Sequence, residues 1–488
     1  MGRPQTKYVT SPMAIPDGER AVSVRLERDP LGELAVPAAA LYGVQTERAR
    51  QNFPISGLRP LAPFVDAVVR IKKAAALTHR ETGRLAPELA DAIVRAADEV
   101  LAGGYRDQFV VDPYQAGAGT SHNMNCNEVL ANRANEILGA KRGEYRPVHP
   151  NDHVNMGQST NDVIPTAIRL AALAGLGPLD QALARLARAF AALGERWDGV
   201  LKAGRTHLQD ATPIRLGQEF RAYARGIERH RERLQLAAGP LAELGLGGSA
   251  VGTGLNVEAG YPERVVQHLG AITGLALRAG EDRVQLMQSM GDATAFSGAL
   301  RTYAVDLSKI ASDLRLLASG PRTGLAEILL PAVQPGSSIM PGKVNPSIPE
   351  MVNMVCYQAI GNDVAIAAAA EAGQLELNVM MPVIAQNLLF TEQILTSATA
   401  VLAERCVEGI EADRDQCAYW LERSPAIVTA LAPRLGYARA AELAKEAVAR
   451  NVTVRELVRQ KGLLPLAELD ALLDLRAMTE LGVPGDRR

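Results

Sequence analysis

The chain has 488 residues, of which 47% are hydrophobic and only 4% aromatic, and its formal net charge is −2 at pH 7. Such a small charge leaves no broad basic surface to hold nucleic acid, and no apolar run is long enough to span a membrane. The four cysteines form no Cys-x-x-Cys pair and are too few for a disulfide scaffold, which predicts a reduced, cytoplasmic protein. Residues 1–18 lack the apolar core of a secretory signal and are expected to form a short disordered lead-in.

Chain length and residue pattern predict three domains. Residues 1–156 are expected to form a mixed, mostly helical domain with a short helix at 88–103 and several Gly-, Asn- and Pro-rich turns. Residues 157–414 are expected to form a central domain of long helices. Residues 415–488 contain shorter elements and several prolines, which is typical of a small helical domain.

Apolar residues recur at helical spacing along five stretches of the central domain. These stretches cover residues 176–201, 218–244, 295–319, 349–373 and 388–410. Each is about twice as long as the mean helix of about 11 to 12 residues, and long helices joined by loops favour a bundle. The stretch from Pro349 is apolar nearly all round, as expected of a helix buried on every side. A single small bundle rarely surrounds one helix so fully, so we predict that subunits associate.

Four polar segments interrupt this helical pattern, at residues 117–125, 149–162, 204–210 and 336–346. Each is rich in Thr, Ser, Asn or His and has few carboxylates. Neutral hydrogen-bond donors with an occasional cation suit an anionic ligand, above all a carboxylate. Any one segment could simply cap helices and form turns, but four of them in one helical chain favour a binding site.

Two nucleotide-binding motifs are matched only loosely. Residues 336–343 resemble a phosphate loop, but five residues rather than four separate Gly336 from Gly342, and Val344 stands where Ser or Thr is needed. Residues 245–250 match the loose dinucleotide fingerprint, but they follow a predicted helix rather than a strand. We therefore expect neither kind of nucleotide site.

A metal site and a serine-hydrolase site are also disfavoured. His149 and His153 are four residues apart, which could place both on one helical face, but Pro150 and Asn151 indicate a turn. No third ligand is spaced nearby, so no metal site is predicted, and His149 remains open as a turn residue or part of a second carboxylate site. The sequence contains no Gly-x-Ser-x-Gly elbow.

The fourth polar segment resembles the signature of the fumarase/aspartase superfamily, and it reads Gly336-Ser-Ser-Ile-Met-Pro-Gly-Lys-Val-Asn-Pro346. This motif is highly specific, and the resemblance runs from about Val24 to the C-terminus. Four further stretches look like the aspartase branch of the superfamily: residues 117–132, 158–162, 348–353 and 370–379. Two shorter ones look like the class II fumarase branch: Val148-His-Pro150 and Asp210-Ala-Thr-Pro213.

The resemblance implies a mainly α, three-domain fold whose central long helices assemble into the twenty-helix core of a homotetramer. Each active site would be shared among three subunits. The implied reaction is the elimination of ammonia from L-aspartate, a small dicarboxylate, to give fumarate, with fumarate hydration as the alternative. A non-catalytic crystallin-like member is disfavoured by residues that it would not need to keep: His207, Ser337, Lys343 and Asn345. A lyase for larger succinyl-linked substrates is also disfavoured, because such members usually have Gln-Lys-Lys-Asn where this chain has Gly342-Lys-Val-Asn345.

The resemblance also implies roles for the residues of the four segments. Ser337 is expected to be the base that removes a proton from C3 of the substrate, and His207 a second catalytic residue. Four hydroxyl groups are expected to hold the β-carboxylate: Thr120, Ser159, Thr160 and Ser338.

The α-carboxylate is expected to bind Lys343 and Asn345, with Lys343 as the fixed charge. Around the α-carboxylate and the amino group the resemblance places Asn161, Thr206 and His207. Glu350 is expected to sit behind His207 and fix its tautomer.

No organic cofactor is expected, because the chemistry is proton transfer and elimination. Divalent cations such as Mg²⁺ activate some aspartases, but the sequence suggests no dedicated site. Three residues depart from the family pattern. Met156 stands where both branches usually have Lys, Met381 where aspartases usually have Glu, and His122 is uncommon in its segment.

Overall fold

The computed structural model describes residues 23–485, so the lead-in expected at residues 1–18 lies outside the described part. The N-terminal region contains an antiparallel strand pair and four helices. In chain order these are β1 (Val24–Asp29), β2 (Gly32–Pro37), α1 (Val44–Asn52), α2 (Ala62–Glu81), α3 (Pro87–Leu101) and α4 (Thr120–Ile137). The helix predicted at residues 88–103 is confirmed as α3.

The central region is dominated by long helices. In chain order its elements are α5 (Thr160–Arg196), β3 (Leu201–Thr206), β4 (Gln209–Arg215), α6 (Leu216–Ala238), β5 (Glu243–Leu244), α7 (Tyr261–Thr273), β6 (Arg278–Ala279), α8 (Arg283–Gln288), α9 (Gly291–Leu317), β7 (Ile328–Leu329), α10 (Ser347–Glu371), α11 (Met381–Arg405) and β8 (Glu411–Ala412). Helix α5 packs against α6 and α11, and α10 packs against α9 and α11. The predicted long-helix bundle is confirmed, and the chain is mainly helical.

Helix α5 differs most from the prediction. It begins at Thr160, not at residue 176, and runs for 37 residues through Pro165 and Pro178. Proline removes a backbone donor and usually interrupts a helix, but here packing on two sides holds α5 together. The predicted C-terminal end at residue 201 is also wrong, because the chain leaves the helix after Arg196 and enters strand β3.

By length and composition α5 could cross a membrane. However, 72% of its most apolar window is buried inside the chain. That burial is typical of the core helix of a bundle.

Helix α10 buries only one side within a single chain. Val352, Cys356, Ala359 and Ile366 are fully buried, all on the side that faces α9 and α11. By contrast Met354 is 64% exposed, Tyr357 61% and Val364 65%. One chain therefore leaves an apolar face of α10 open, and the burial on every side expected from the sequence would need a second chain.

A second, smaller core lies in the C-terminal region. It is formed mainly by apolar side chains between residues 421 and 473, with Ala203 of β3 packed among them. They come from α12 (Arg414–Arg423), the 3-10 helix Pro425–Leu431, α14 (Tyr437–Arg450), α15 (Val454–Lys461) and α16 (Leu466–Leu472). The short helix α13 (Ala432–Leu435) packs against this core with partly buried side chains. The domain boundaries at residues 156 and 415 remain predictions.

Candidate active site

The first polar segment forms the start of α4. The backbone N–H of Ala118 donates to the carbonyl of Val379 at 2.7 Å, which ties this turn to the loop before α11. Gly119 has φ 86°, and a Cβ on it would lie 3.0 Å from the side chain of Ile164 in α5, so the close approach of α4 to α5 requires glycine here. The exposed Thr120 is the first residue of α4.

The second polar segment caps α5. Ser159 is the N-cap residue, and its hydroxyl accepts the N–H of Asn161 at 3.2 Å. The buried carboxylate of Asp162 accepts the N–H of Ser159 at 2.9 Å. This capping box fixes the side chains of Ser159, Thr160 and Asn161 at the first turn of the helix, where backbone N–H groups and the helix dipole favour an anion.

Asp162 also binds the glycine-rich loop that follows β5. Its second oxygen accepts the N–H groups of Gly247 and Ser249, both at 3.0 Å, and Asn161 Nδ2 donates to the carbonyl of Ala250 at 2.9 Å. Burial raises the pKa of Asp162 to about 6, against the opposing effect of these backbone donors. Residues 245–250 follow the short strand β5, whereas a helix was predicted before them. Their backbone N–H groups bind the carboxylate of Asp162.

A buried lysine lies behind this cap, and the sequence analysis missed it. Lys72 of α2 is fully buried, and its Nζ donates to Asn155 Oδ1 at 2.8 Å and to Gln158 Oε1 at 3.0 Å. Burial lowers the pKa of Lys72 to about 7. The available signal was a lysine on the apolar face of a helix, since residues 67–71 and 74–76 around it are almost all apolar.

The third polar segment is the tip of the β3–β4 hairpin. His207 and Leu208 have φ values of 56° and 58°, a left-handed turn that usually takes Asn-Gly. Below the tip, Arg205 Nη1 contacts both oxygens of the fully buried Glu327 at 2.9 and 3.0 Å. Thr206 and His207 are therefore exposed at the tip of the hairpin, and the contacts of Arg205 with Glu327 anchor the strand directly below them.

The fourth polar segment is a closed loop. The N–H of Gly336 donates to the carbonyl of Lys343 at 2.7 Å, and Asn345 Nδ2 donates to the carbonyl of Gly336 at 2.7 Å. Within the loop Ser337 Oγ accepts two backbone N–H groups, from Met340 at 2.9 Å and from Ile339 at 3.2 Å. A hydroxyl oxygen that accepts two N–H groups is favoured in its charged form.

The loop closure predicts that Gly336→Ala impairs the site. A Cβ at residue 336 would lie 2.7 Å from both the nitrogen of Asn345 and the carbonyl oxygen of Lys343, and these backbone atoms cannot move aside cheaply. We expect the variant to lose most of its turnover while its Tm falls little, because the loop is largely exposed. The matched control is Gly199→Ala before β3, an exposed position where the Cβ would meet nothing within 4 Å. Unchanged turnover in Gly336→Ala would show that the closed loop is not needed.

The structure divides the predicted site residues into two groups at opposite ends of the bundle. Thr120, Ser159, Thr160 and Asn161 lie at the end where α4, α5 and α11 begin. At the other end lie Thr206, His207, Ser338, Lys343 and Glu350, together with Ser337 and Asn345. Helix α10 has 25 residues and connects the two ends, so at 1.5 Å per residue it separates them by about 36 Å. That distance is far longer than a four-carbon dicarboxylate, so one chain does not bring the two groups around one ligand.

His207 and His149 differ in the contacts that the described residues give them. Within residues 23–485 His207 and Glu350 share no hydrogen bond or ion pair, so their pairing stays a prediction. His149 Nδ1 accepts the N–H groups of Asn151 and Asp152, each at 3.2 Å, and His153 Nδ1 accepts the N–H of His149 at 2.8 Å. These histidines stabilise the turn with one ring nitrogen each.

The residues between 23 and 485 contain no group of three or more His, Cys, Asp or Glu side chains placed to hold a metal ion.

Comparison with known proteins places this geometry in a family. Residues 32–361 match the family model described as lyase, and residues 427–480 match that of the fumarase C C-terminus. The aspartate ammonia-lyase of Bacillus subtilis is 48% identical, over 94% of this chain and 97% of that protein. The class II fumarate hydratase of Halobacterium salinarum is 50% identical, over 94% and 98%. The cobalt-bound crystal structure of fumarate lyase:delta crystallin from Brucella melitensis is 50% identical over 94% of this chain and 100% of that chain, with a TM-score of 0.90. The chain therefore belongs to the lyase family of the fumarase/aspartase superfamily.

Proposed function

We propose that this lyase is an aspartate ammonia-lyase, which reversibly eliminates ammonia from L-aspartate to give fumarate. The observation that carries the proposal is the Ser337 hydroxyl, whose oxygen accepts two backbone N–H groups inside the closed loop. Several relatives that match most of the chain are named aspartate ammonia-lyase, among them those of Bacillus subtilis and Pseudomonas aeruginosa. Thr160 and Gln374 follow the aspartase branch in sequence.

Ser337 acts as the base in this proposal. It removes a weakly acidic proton from C3, the carbon next to the β-carboxylate, and ammonia then leaves from C2. A free serine hydroxyl is far too weak a base for this step. The two N–H groups on its oxygen, with the charge of Lys343 on the same loop, lower the free energy of the serine oxyanion.

Proton loss places two negative charges on the β-carboxylate, and the enzyme must stabilise them. Enzymes lower barriers by about 8 to 23 kcal/mol, and one oriented donor contributes about 2.7 to 4 kcal/mol, so several donors have to converge. In this proposal they are Thr120, Ser159, Thr160 and Ser338. Thr120 and Thr160 are the first residues of α4 and α5, so two helix N-termini add their favourable dipoles. These donors bind the dianion more tightly than the ground state, which accelerates the step.

The α-carboxylate is assigned to the cation of Lys343 and the amide of Asn345. Asn345 uses one hydrogen of its amide on Gly336 and keeps the other for the ligand. Thr206, His207 and Asn161 surround the α-carboxylate and the amino group, and Glu350 is assigned as the partner of His207. No organic cofactor is required for proton transfer and elimination.

Because the two groups of residues lie about 36 Å apart along α10, a complete site requires more than one chain. The open apolar face of α10 is where a second chain would pack. We therefore propose a D2 homotetramer whose active sites are each shared among three subunits, acting in the cytoplasm on a small dicarboxylate, without a nucleic-acid or membrane partner.

The test is the ultraviolet absorbance of fumarate formed by purified protein from L-aspartate in one cuvette and from L-malate in another. Fumarate from aspartate alone is the expected result. Fumarate from malate alone would instead identify a class II fumarate hydratase, which the fumarase-like residues 148–150 and 210–213 favour. Fumarate from neither would direct attention to Met156 and Met381, where the chain departs from its family.

A further inference from the structure

We infer that Asn123 is a positioning residue that aims the hydroxyl hydrogen of Thr160 at the substrate carboxylate. Lys72, through Asn155, sets the orientation of the Asn123 amide. The inference rests on the proposed function, because it assigns Thr160 to the carboxylate. The three side chains and Thr160 form one hydrogen-bonded relay from the buried interior to the first turn of α5.

The contacts of Asn155 with Lys72 and Gln158 determine which end of the Asn155 amide is the oxygen. Lys72 Nζ donates to Asn155 Oδ1 at 2.8 Å, and the lysine has a hydrogen for this bond in either protonation state. The other end of the same amide, Asn155 Nδ2, donates to the carbonyl of Gln158 at 3.1 Å. The orientation of the Asn155 amide is therefore determined by its partners at both ends.

The orientation of Asn123 follows from that of Asn155. The Asn123 amide atom that lies 3.3 Å from Asn155 Oδ1 must be its nitrogen, because two oxygens would repel each other. The same nitrogen lies 3.0 Å from Thr160 Oγ1. The oxygen of Thr160 therefore accepts a hydrogen bond here, and its single hydrogen has to point elsewhere. A hydroxyl whose acceptor side is occupied in this way presents its hydrogen to an anion outside the relay.

Asn123 is 1% exposed, and its Oδ1 atom, like that of Asn127, is buried with no hydrogen-bond partner among residues 23–485. The two asparagines differ at their nitrogen atoms, because that of Asn123 donates to Thr160 Oγ1 and that of Asn127 to Met124 Sδ. The link to Thr160 is therefore the feature that distinguishes Asn123.

The decisive variant is Asn123→Asp, which keeps the shape of the side chain but replaces the donor by an acceptor. The hydroxyl of Thr160 would then donate to the new carboxylate and turn away from the substrate. The matched control is Asn127→Asp. Asn127 lies one turn along α4, is also fully buried and donates to Asn155 Oδ1 at 3.2 Å, but its amide nitrogen bonds Met124 Sδ rather than Thr160. Both variants place the same charge near Lys72.

We expect Asn123→Asp to lower kcat by about 10²-fold, as the loss of one transition-state donor does, and to change KM much less. Asn127→Asp should lower kcat far less. In a Thr160→Val background the effect of Asn123→Asp should shrink to that of Asn127→Asp, because the hydroxyl through which it acts is gone. Tm and subunit assembly are measured for every variant. If Asn123→Asp does not fold, the uncharged Asn123→Leu is assayed in its place, with a smaller expected loss of kcat.

Equal losses in the two Asp variants, or a full loss from Asn123→Asp in the Thr160→Val background, would overturn the inference. The wild type is assayed first with L-aspartate and L-malate. If only malate reacts, the proposed function is wrong. The relay can then still be tested with the same variants and malate as the substrate. If neither reacts, calorimetric binding of fumarate replaces turnover, and Asn123→Asp should then weaken binding more than Asn127→Asp does.

Discussion

Ser337→Ala is expected to lower kcat for L-aspartate by about 10²- to 10⁴-fold, the contribution of a positioned general base. The alanine removes the oxygen that accepts the N–H groups of Ile339 and Met340, so no oxyanion can form at this place. Both N–H groups belong to exposed residues and can turn to water, so Tm should change little. The measurements are fumarate absorbance and the exchange of the C3 hydrogen of aspartate with deuterated solvent.

The exchange measurement separates the roles of the two neighbouring serines. Ser337→Ala should slow exchange and ammonia loss by the same factor, because proton removal precedes elimination. Ser338→Ala removes one donor to the β-carboxylate and should cost about 10²- to 10³-fold in kcat while slow exchange persists. Exchange at the wild-type rate in Ser337→Ala would show that another group removes the proton.

The bundle was largely predictable from the sequence, because helical spacing of apolar residues is a direct consequence of burying one face of a helix. Each of the five long stretches overlaps one long helix, although α6 ends at Ala238 before its predicted end and α11 begins at Met381 before its predicted start. The largest error concerns α5, where Pro165 and Pro178 lie inside a 37-residue helix. Local preference disfavours proline there, and tertiary packing against α6 and α11 overrides it.

The segments of the candidate site were recognisable from motif and composition, but their arrangement was not. Ser159 and Thr160 lie at the start of α5, which was predicted only from residue 176, and Ser337 lies in a glycine-rich loop. Nothing local shows that α10 places these segments about 36 Å apart, since that distance depends on how the helices pack. The role of Lys72 also depends on long-range contacts, with Asn155 and Gln158 more than eighty residues away.

Mixing two strongly impaired variants is expected to give much more activity than either has alone. Thr160→Val damages the end of the bundle where α5 begins, and Ser337→Ala damages the loop at the other end. If each active site takes these ends from different chains, a mixed tetramer contains sites with an intact α5 start from one variant and an intact loop from the other. Random mixing in equal amounts would leave about one quarter of the sites intact. The measurement is turnover of mixed tetramers purified through two different affinity tags, compared with each variant alone.

The control pair carries both changes in the same loop, Ser337→Ala with Lys343→Met. The loop is closed by contacts of Gly336 with Lys343 and Asn345, so one chain supplies it whole to each site. No site in this mixture can be intact, and no activity should return. Absence of recovery in the first pair, once mixed tetramers are isolated, would mean that one chain brings both ends together, and that the separation of about 36 Å along α10 does not describe the working enzyme. Recovery in the first pair alone would establish that the lyase site exists only between chains.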